Sequence, residues 1–485
     1  MKYKRIYLVS VCVVLAATFF ISMGVNTKSS WEHQHQSGND KSEKTQGTIA
    51  VAKEDFSSHL PVVTIDTRSQ TIPGLSREKD LITTSLKIYD GAGDRNSLSD
   101  HPAVSIEANI KYRGNSSLHF DKKSYLVKFV DEYGEDKKSK VMGMPEHSTW
   151  VLNGPFLDRT MMRNYLCMNV SAEIMGYAPR VRYCELFVDG DYKGVYLMME
   201  TVSYGADRVN VTKYKDGDIV SSYILRADRG DEPLNELNQF SEYTMRMPAD
   251  TEKNKYALTV EYPSKSSLTH DLKETIEKDF SRFEKALYSF DYDDEVYGAS
   301  SFVNINSFVD YFIINEFFQN YDAGIYSTYF HKDVRDKIYI GPVWDFNNAC
   351  NNYMDTSYDG TGFGLYERTW YHMLMKDDSF TDSIIGRYKS LRTTFLNEEY
   401  LLHYIDDVQA YLGDAVDRNY SVWGYSFDVT KVNGENKLYP DERNYKSYEE
   451  AVSQLKEFIV NRGRWMDEYI ENLSQYSHES KIKPY

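Results

Sequence analysis

The apolar residues between positions 60 and 200 recur with two different periods, and this change of period constrains the fold more than any other feature. Residues 104–110 and 124–129 alternate apolar and polar side chains, the pattern of half-buried strands, with the polar stretch Arg113-Gly114-Asn115-Ser116-Ser117 between them. Residues 156–175 instead carry Met161, Met162, Tyr165, Leu166, Met168 and Val170 as the bulk of a helix, with Asp158 as its candidate N-cap and Gly176 as its stop. Residues 181–188 and 192–199 return to the strand pattern and are joined by Asp189-Gly190-Asp191, a tight-hairpin sequence. With 61–65 as a first strand, the chain predicts an α+β fold in which strands surround one helix.

The second half adds a helix over 302–318 that ends at Gln319-Asn320-Tyr321-Asp322. A hairpin of strands 326–330 and 337–340 follows and runs into Gly341-Pro342-Val343-Trp344-Asp345-Phe346-Asn347. A small strand-rich lobe followed by a helical half, with one acid before a hairpin and one after it, is the layout of a protein kinase. There the first acid orients the attacking hydroxyl and the second anchors the cations that bridge the phosphates, two tasks that both require a carboxylate. Capping a turn or ending a strand explains either acid as well, so the spacing alone leaves the choice open.

A net charge of -17 excludes a nucleic-acid surface, which needs clustered Lys and Arg; an anionic nucleotide would need a local basic pocket or a metal. Lys2, Lys4 and Arg5 precede the uncharged stretch 6–25, and about 20 apolar residues suffice to cross a bilayer. The basic flank keeps the first residues cytoplasmic and sends the rest of the chain outward. Phe19, Phe20 and Ile21 stand where a cleavable signal carries small residues, which favours an uncleaved anchor over a form secreted after cleavage. The expected organisation is an anchor at 1–28, a flexible polar linker at 29–59, a small lobe at 60–202, a large lobe at 203–475 and a tail at 476–485. Outside the apolar stretch, Cys167, Cys184 and Cys350 permit at most one disulfide and lack zinc-site spacing.

Four segments in register resemble the CotH family of spore-coat protein kinases: Tyr112-Arg113-Gly114-Asn115-Ser116-Ser117 with Lys122-Lys123-Ser124-Tyr125; Leu157-Asp158-Arg159 through Arg163-Asn164; Tyr192-Lys193-Gly194-Val195-Tyr196-Leu197-Met198-Met199-Glu200; and Gly341-Pro342-Val343-Trp344-Asp345-Phe346. The resemblance runs from about Leu60 to about Leu473. It implies an atypical two-lobed kinase-like fold that uses ATP and Mg2+ (or Mn2+) to phosphorylate Ser or Thr hydroxyls of a Ser-rich surface or coat protein. It further implies Asp322 as the catalytic acid and Asp345 as the metal ligand, with Asn347 beside it. Lys123 is the expected phosphate-contacting lysine; Lys128 competes from the opposite face of the same strand. Glu173 would pair with that lysine, Arg113 approach the phosphates and Glu200 border the base.

The chain departs from kinases in lacking a His-Arg before Asp322 and a Gly-rich phosphate loop. Ser327 stands where kinases place a metal-binding Asn, so either Asn347 or Asn348 substitutes or metal binding is weakened. Two rival readings remain: a noncatalytic surface module in which Tyr366, Trp370 and Tyr371 line a sugar site, and a nucleotidyltransferase built on the same pocket.

Overall fold

The computed structural model describes residues 51–52, 55–74, 81–91, 93–228 and 257–478. The apolar stretch 6–25, expected to be an anchor, lies outside them. Among the described residues no helix is long and apolar enough to cross a membrane.

Seven strands form a closed barrel: β1 (Val62–Asp66), β2 (Ile82–Tyr89), β3 (Val104–Arg113), β4 (Ser124–Val130), β5 (Thr149–Asn153), β6 (Val181–Val188) and β7 (Asp191–Glu200). Round the barrel the order is β6-β7-β5-β4-β3-β2-β1. An odd ring cannot alternate direction throughout, and the one parallel pair is β1 against β6, with Val62 opposite Glu185. Strand alternation then serves two cores. Cys184, Leu186, Tyr196 and Met198 point into the barrel with Val127 and Trp150, while Tyr183, Val195, Leu197 and Met199 face outward onto helix α1 (Arg163–Met175).

Eleven of the thirteen residues of α1 are buried, so the helix is covered on all sides rather than amphipathic. It starts later than the expected 156–175. Asp158 nevertheless caps the approach, accepting from the Arg163 backbone N–H (2.8 Å) and pairing with the Arg163 guanidinium (2.6 Å). The core around α1 continues without a break into the second half, as far as Leu473.

That half contains the antiparallel sheet β9-β8-β10-β11, from β8 (Tyr223–Asp228), β9 (Ala257–Tyr262), β10 (Thr328–Lys332) and β11 (Tyr339–Ile340). The same half carries α2 (His270–Leu287), α3 (Ile305–Phe317), α4 (Asp378–Arg392), α5 (Glu398–Leu412), α6 (Asp414–Trp423) and α7 (Tyr448–Tyr469), of which α2 and α3 meet the sheet where Phe280 and Phe308 pack on Phe330. Helix α6 staples the halves together: Arg418 forms a fully buried ion pair with Glu185 of β6, and Trp423 Nε1 donates to the Lys193 carbonyl at 2.8 Å.

Two expectations need correction. The folded region begins before residue 60, because Phe56 is buried with its ring centroid 4.8 Å from that of Phe187, and Ser58 Oγ donates to Glu185 at 2.5 Å. Trp370 and Tyr371 belong to the core rather than to a sugar site: both are fully buried, Trp370 donating to Glu284 and Tyr371 to the Phe308 carbonyl, while Tyr366 stacks on Tyr476. Cys167, Cys184 and Cys350 are free and buried.

Candidate active site

Three barrel strand ends face strands and loops of the second half across a cavity of about 390 Å3. Arg113 closes β3, Ser124 opens β4 directly opposite it, and Asn153 ends β5. The turn between β3 and β4 requires Gly114, whose φ is +126° and where a Cβ would lie 1.8 Å from Ser117 Oγ. From the second half come Arg226 and Asp228 on β8, Asp322 in the turn after α3, Ser327 and Tyr329 at β10, and Trp344, Asp345, Asn347 and Asn348 after β11.

The two acids are held by consecutive amides. Asn347 Nδ2 donates to Asp345 Oδ1 at 2.5 Å, and Asn348 Nδ2 donates to Asp322 Oδ2 at 3.0 Å. The backbone of Asp345 lies in the left-handed region, φ 58°, which Asp tolerates better than most residues. The first turn of α1 fixes this conformation. Asn164 Oδ1 accepts from the Phe346 N–H (2.7 Å), Asn164 Nδ2 donates to Asn347 Oδ1 (2.8 Å), and Arg163 donates to the carbonyls of Ala349 (3.0 Å) and Cys350 (3.2 Å).

Burial pushes the Asp345 carboxyl above its ordinary value, against the opposing pull of Arg113; the neighbouring Asp228 adds to the upward shift. Burial likewise pulls the Arg113 guanidinium down, while Asp345 and Asp228 partly restore it. Arg113 sits 5.6 Å from the Trp344 ring centroid. Arg226 pairs with Glu261 at 2.9 Å and with Asp228 at 3.6 Å.

Of the residues singled out in the sequence, Asp322, Asp345, Asn347 and Arg113 line this cavity; Lys123, Glu173 and Glu200 do not. Lys123 Nζ donates to the Leu118 carbonyl at 2.6 Å, and its rival Lys128 pairs with Asp136 in solvent. The adjacent Lys122 is buried between the Val195 carbonyl (2.7 Å) and Asn419 Oδ1 (2.8 Å), and burial holds its pKa well down. Glu173 lies on the C-terminal half of α1, half-buried. Glu200 is sealed in the core by Arg180 at 3.2 Å and the Tyr177 hydroxyl at 3.3 Å. The basic groups that do line the cavity are Arg113 and Arg226.

Asn164, Arg226 and Asp228 were not foreseen as site residues. Arg163-Asn164 stood in a recognised segment, yet its contacts reach 182 to 187 positions along the chain, beyond any local signal. The two strand residues carry no motif.

The donors suit a hard cation. No group of three or more His, Cys, Asp or Glu side chains able to hold a metal occurs among the described residues. One carboxylate, completed by phosphate and water, is nonetheless a set that Mg2+ accepts when it arrives with a nucleotide, with the amide NH2 groups of Asn347 and Asn348 orienting the acids rather than facing the ion. Asp345 would be the central donor, with Arg113 the cation that acts on its carboxyl.

The family model for CotH kinase protein matches residues 110–466. Inner spore coat protein H of Bacillus subtilis (strain 168) is 25% identical over 142 residues, 29% of this chain and 36% of that protein. The match therefore spans little more than a third of the relative's length.

Proposed function

Because the chain belongs to the CotH kinase family, we propose that it transfers the γ-phosphoryl group of ATP to Ser or Thr hydroxyls of a surface or coat protein, outside the membrane that the stretch 6–25 would anchor it to. One observation carries this reading: Asp322 and Asp345 line one cavity, each held by one of two adjacent asparagines. The kinase-like reading of the fold rests on the same juxtaposition of a strand-rich half and a helical half. The name of the bacterial relative supports a coat substrate.

In this reading Asp322 orients the acceptor hydroxyl and takes its proton as the new O–P bond forms and the bond from γ-phosphorus to the bridging oxygen of ADP breaks. Asp345, with Asn347 and Asn348 near it, would hold Mg2+ or Mn2+, which supplies neutralisation of phosphate charge. Arg113 and the Gly114-Asn115 turn face the phosphates in place of a lysine, since Lys123 is committed to the Leu118 carbonyl. Glu173 and Glu200 have no role at the nucleotide. Asn164 positions the Asp345 loop.

The test is incubation of the chain with Mg·ATP labelled at either the α or the γ phosphate, together with coat or exported proteins. Label entering protein from the γ position alone supports the reading. Label entering from the α position replaces it with nucleotidyl transfer, and nucleotide binding without either transfer refutes it.

A further inference from the structure

Three cysteines lie among the described residues, and the fold brings one pair of them together. Cys184 points into the barrel with Leu186 and Met198, whereas Cys167 and Cys350 belong to the core around α1. In the first turn of α1, Arg163 donates from Nε to the Ala349 carbonyl (3.0 Å) and from Nη2 to the Cys350 carbonyl (3.2 Å), which lays that face of the helix against residues 349 and 350. Cys167 stands four residues on, one turn along the same face. Its thiol lies against the Cys350 thiol, close enough to share a hydrogen bond.

Both partners are held in place. The Cys350 N–H donates to the Phe318 carbonyl at 2.7 Å while its own carbonyl accepts from Arg163, so its backbone is fixed on both sides. Cys167 sits mid-helix, its carbonyl accepting from Ser171 Oγ at 2.6 Å. Each cysteine is 0% exposed. The pair is no part of a larger metal centre, since no group of three or more His, Cys, Asp or Glu side chains able to hold a metal occurs among the described residues. Burial, and then the neighbouring thiol, push the Cys167 thiol well up, which makes it a poor nucleophile in the folded state. Two apposed, sealed thiols are suited instead to a structural bond. Cys350 also lies five residues beyond Asp345, in the segment that Asn164 and Arg163 already bind to α1.

We propose that Cys167 and Cys350 form a disulfide that fastens α1 to the segment following Asp345. The oxidant is a low-molecular-weight disulfide, RSSR, met as the chain folds and before the core around α1 closes over both thiols. One cysteine thiolate attacks RSSR and expels the first thiolate; the second cysteine thiolate attacks the mixed disulfide and expels the other. The cysteine pair gives up two electrons, RSSR takes them, and the two cysteine protons end on two RSH. The bond closes a long loop and so restricts the unfolded chain strongly. The proposal rests on the outward placement of the chain only for where RSSR is met.

The test unfolds the reduced full chain in urea and refolds it in detergent with either oxidised glutathione or dithiothreitol. Free thiols are then alkylated in urea and the peptides mapped by mass spectrometry. Refolding with oxidised glutathione should give peptides joined through Cys167 and Cys350, with Cys184 alkylated. The joined form should melt roughly 5 °C above the dithiol form. Its bond should be reduced at least about 10-fold more slowly in the native state than in urea, because the fold must open before a reductant enters. Cys350→Ser should leave Cys167 alkylated, and Cys184→Ser should keep the link. Alkylation of both Cys167 and Cys350 in the wild type, or a link through Cys184, overturns the proposal, as does a link whose reduction leaves Tm unmoved. The same mapping on chain isolated from its own cells separates the two readings. A link there supports the outward placement as well, whereas free thiols there beside a link after refolding refute the outward placement alone.

Discussion

Replacing Asn164 with Ala removes the side chain that ties the Asp345 loop to the first turn of α1. In the folded protein Asn164 is 3% exposed, and its Oδ1 satisfies the N–H of fully buried Phe346 at 2.7 Å. Stranding that N–H costs about 1–3 kcal/mol. The Asn347 amide oxygen is half-buried and regains water, so its lost bond at 2.8 Å adds up to about 1 kcal/mol. The sum is about 1–4 kcal/mol, read from urea unfolding at fixed pH. Because Asn347 in turn holds Asp345, the variant should also lose about 10-fold in Mg·ATP affinity, measured by calorimetry. Asn164→Asp is the sharper companion. It keeps an acceptor for Phe346 but places an oxygen against Asn347 Oδ1 and a charge near Asp345, so nucleotide affinity should fall with a smaller stability loss. An Asn164→Ala protein that loses less than about 0.5 kcal/mol and binds Mg·ATP normally would refute the clamp.

Three further outcomes follow from buried charges and backbone. The raised pKa of Asp345 means the native state holds its proton more tightly than the unfolded chain does, so this group costs stability as pH rises from about 4 to its native pKa; Asp345→Asn should therefore gain on wild type as pH rises above about 4 and hold that gain once the native carboxyl has ionised, without nucleotide, and a difference that stays flat from below about pH 4 to neutral pH by urea titration would contradict this. Arg418→Ala should cost about 3–5 kcal/mol by stranding the buried Glu185 carboxylate, whereas the Arg418→Met, Glu185→Leu pair should recover most of that loss in thermal melts. Gly114→Ala should weaken Mg·ATP binding by displacing Arg113, and Ser117→Gly should relieve part of the defect by removing the clashing hydroxyl.

Strands β3 and β4 were legible because each buries one face and follows the alternation, whereas β6 and β7 are buried on both faces and were marked by the hairpin sequence Asp189-Gly190-Asp191 between two apolar runs. Barrel closure was not, since the parallel pairing of β1 with β6 joins positions about 120 residues apart and leaves no local pattern. Strand β8 escaped because the first three residues of Tyr223–Asp228 are all buried and start no alternation, and with it went Arg226 and Asp228. Asp322 and Asp345 could be found from their places around a hairpin, an arrangement local in sequence. Position along strand and helix points to Lys123, Glu173 and Glu200, but none lines the cavity: one main-chain carbonyl holds Lys123, and a buried arginine holds Glu200.

The central claim is that the two acids divide the labour of one site, and it is tested by measuring Mg·ATP affinity and γ-phosphate transfer on Asp322→Asn and Asp345→Asn side by side. Asp345→Asn should lose Mg2+-dependent nucleotide binding. Asp322→Asn should keep that affinity within about 3-fold while transfer falls by about 100-fold or more, because its carboxylate acts on the acceptor hydroxyl in the transition state. Equal behaviour of the two variants, or undiminished transfer by either, would contradict the account.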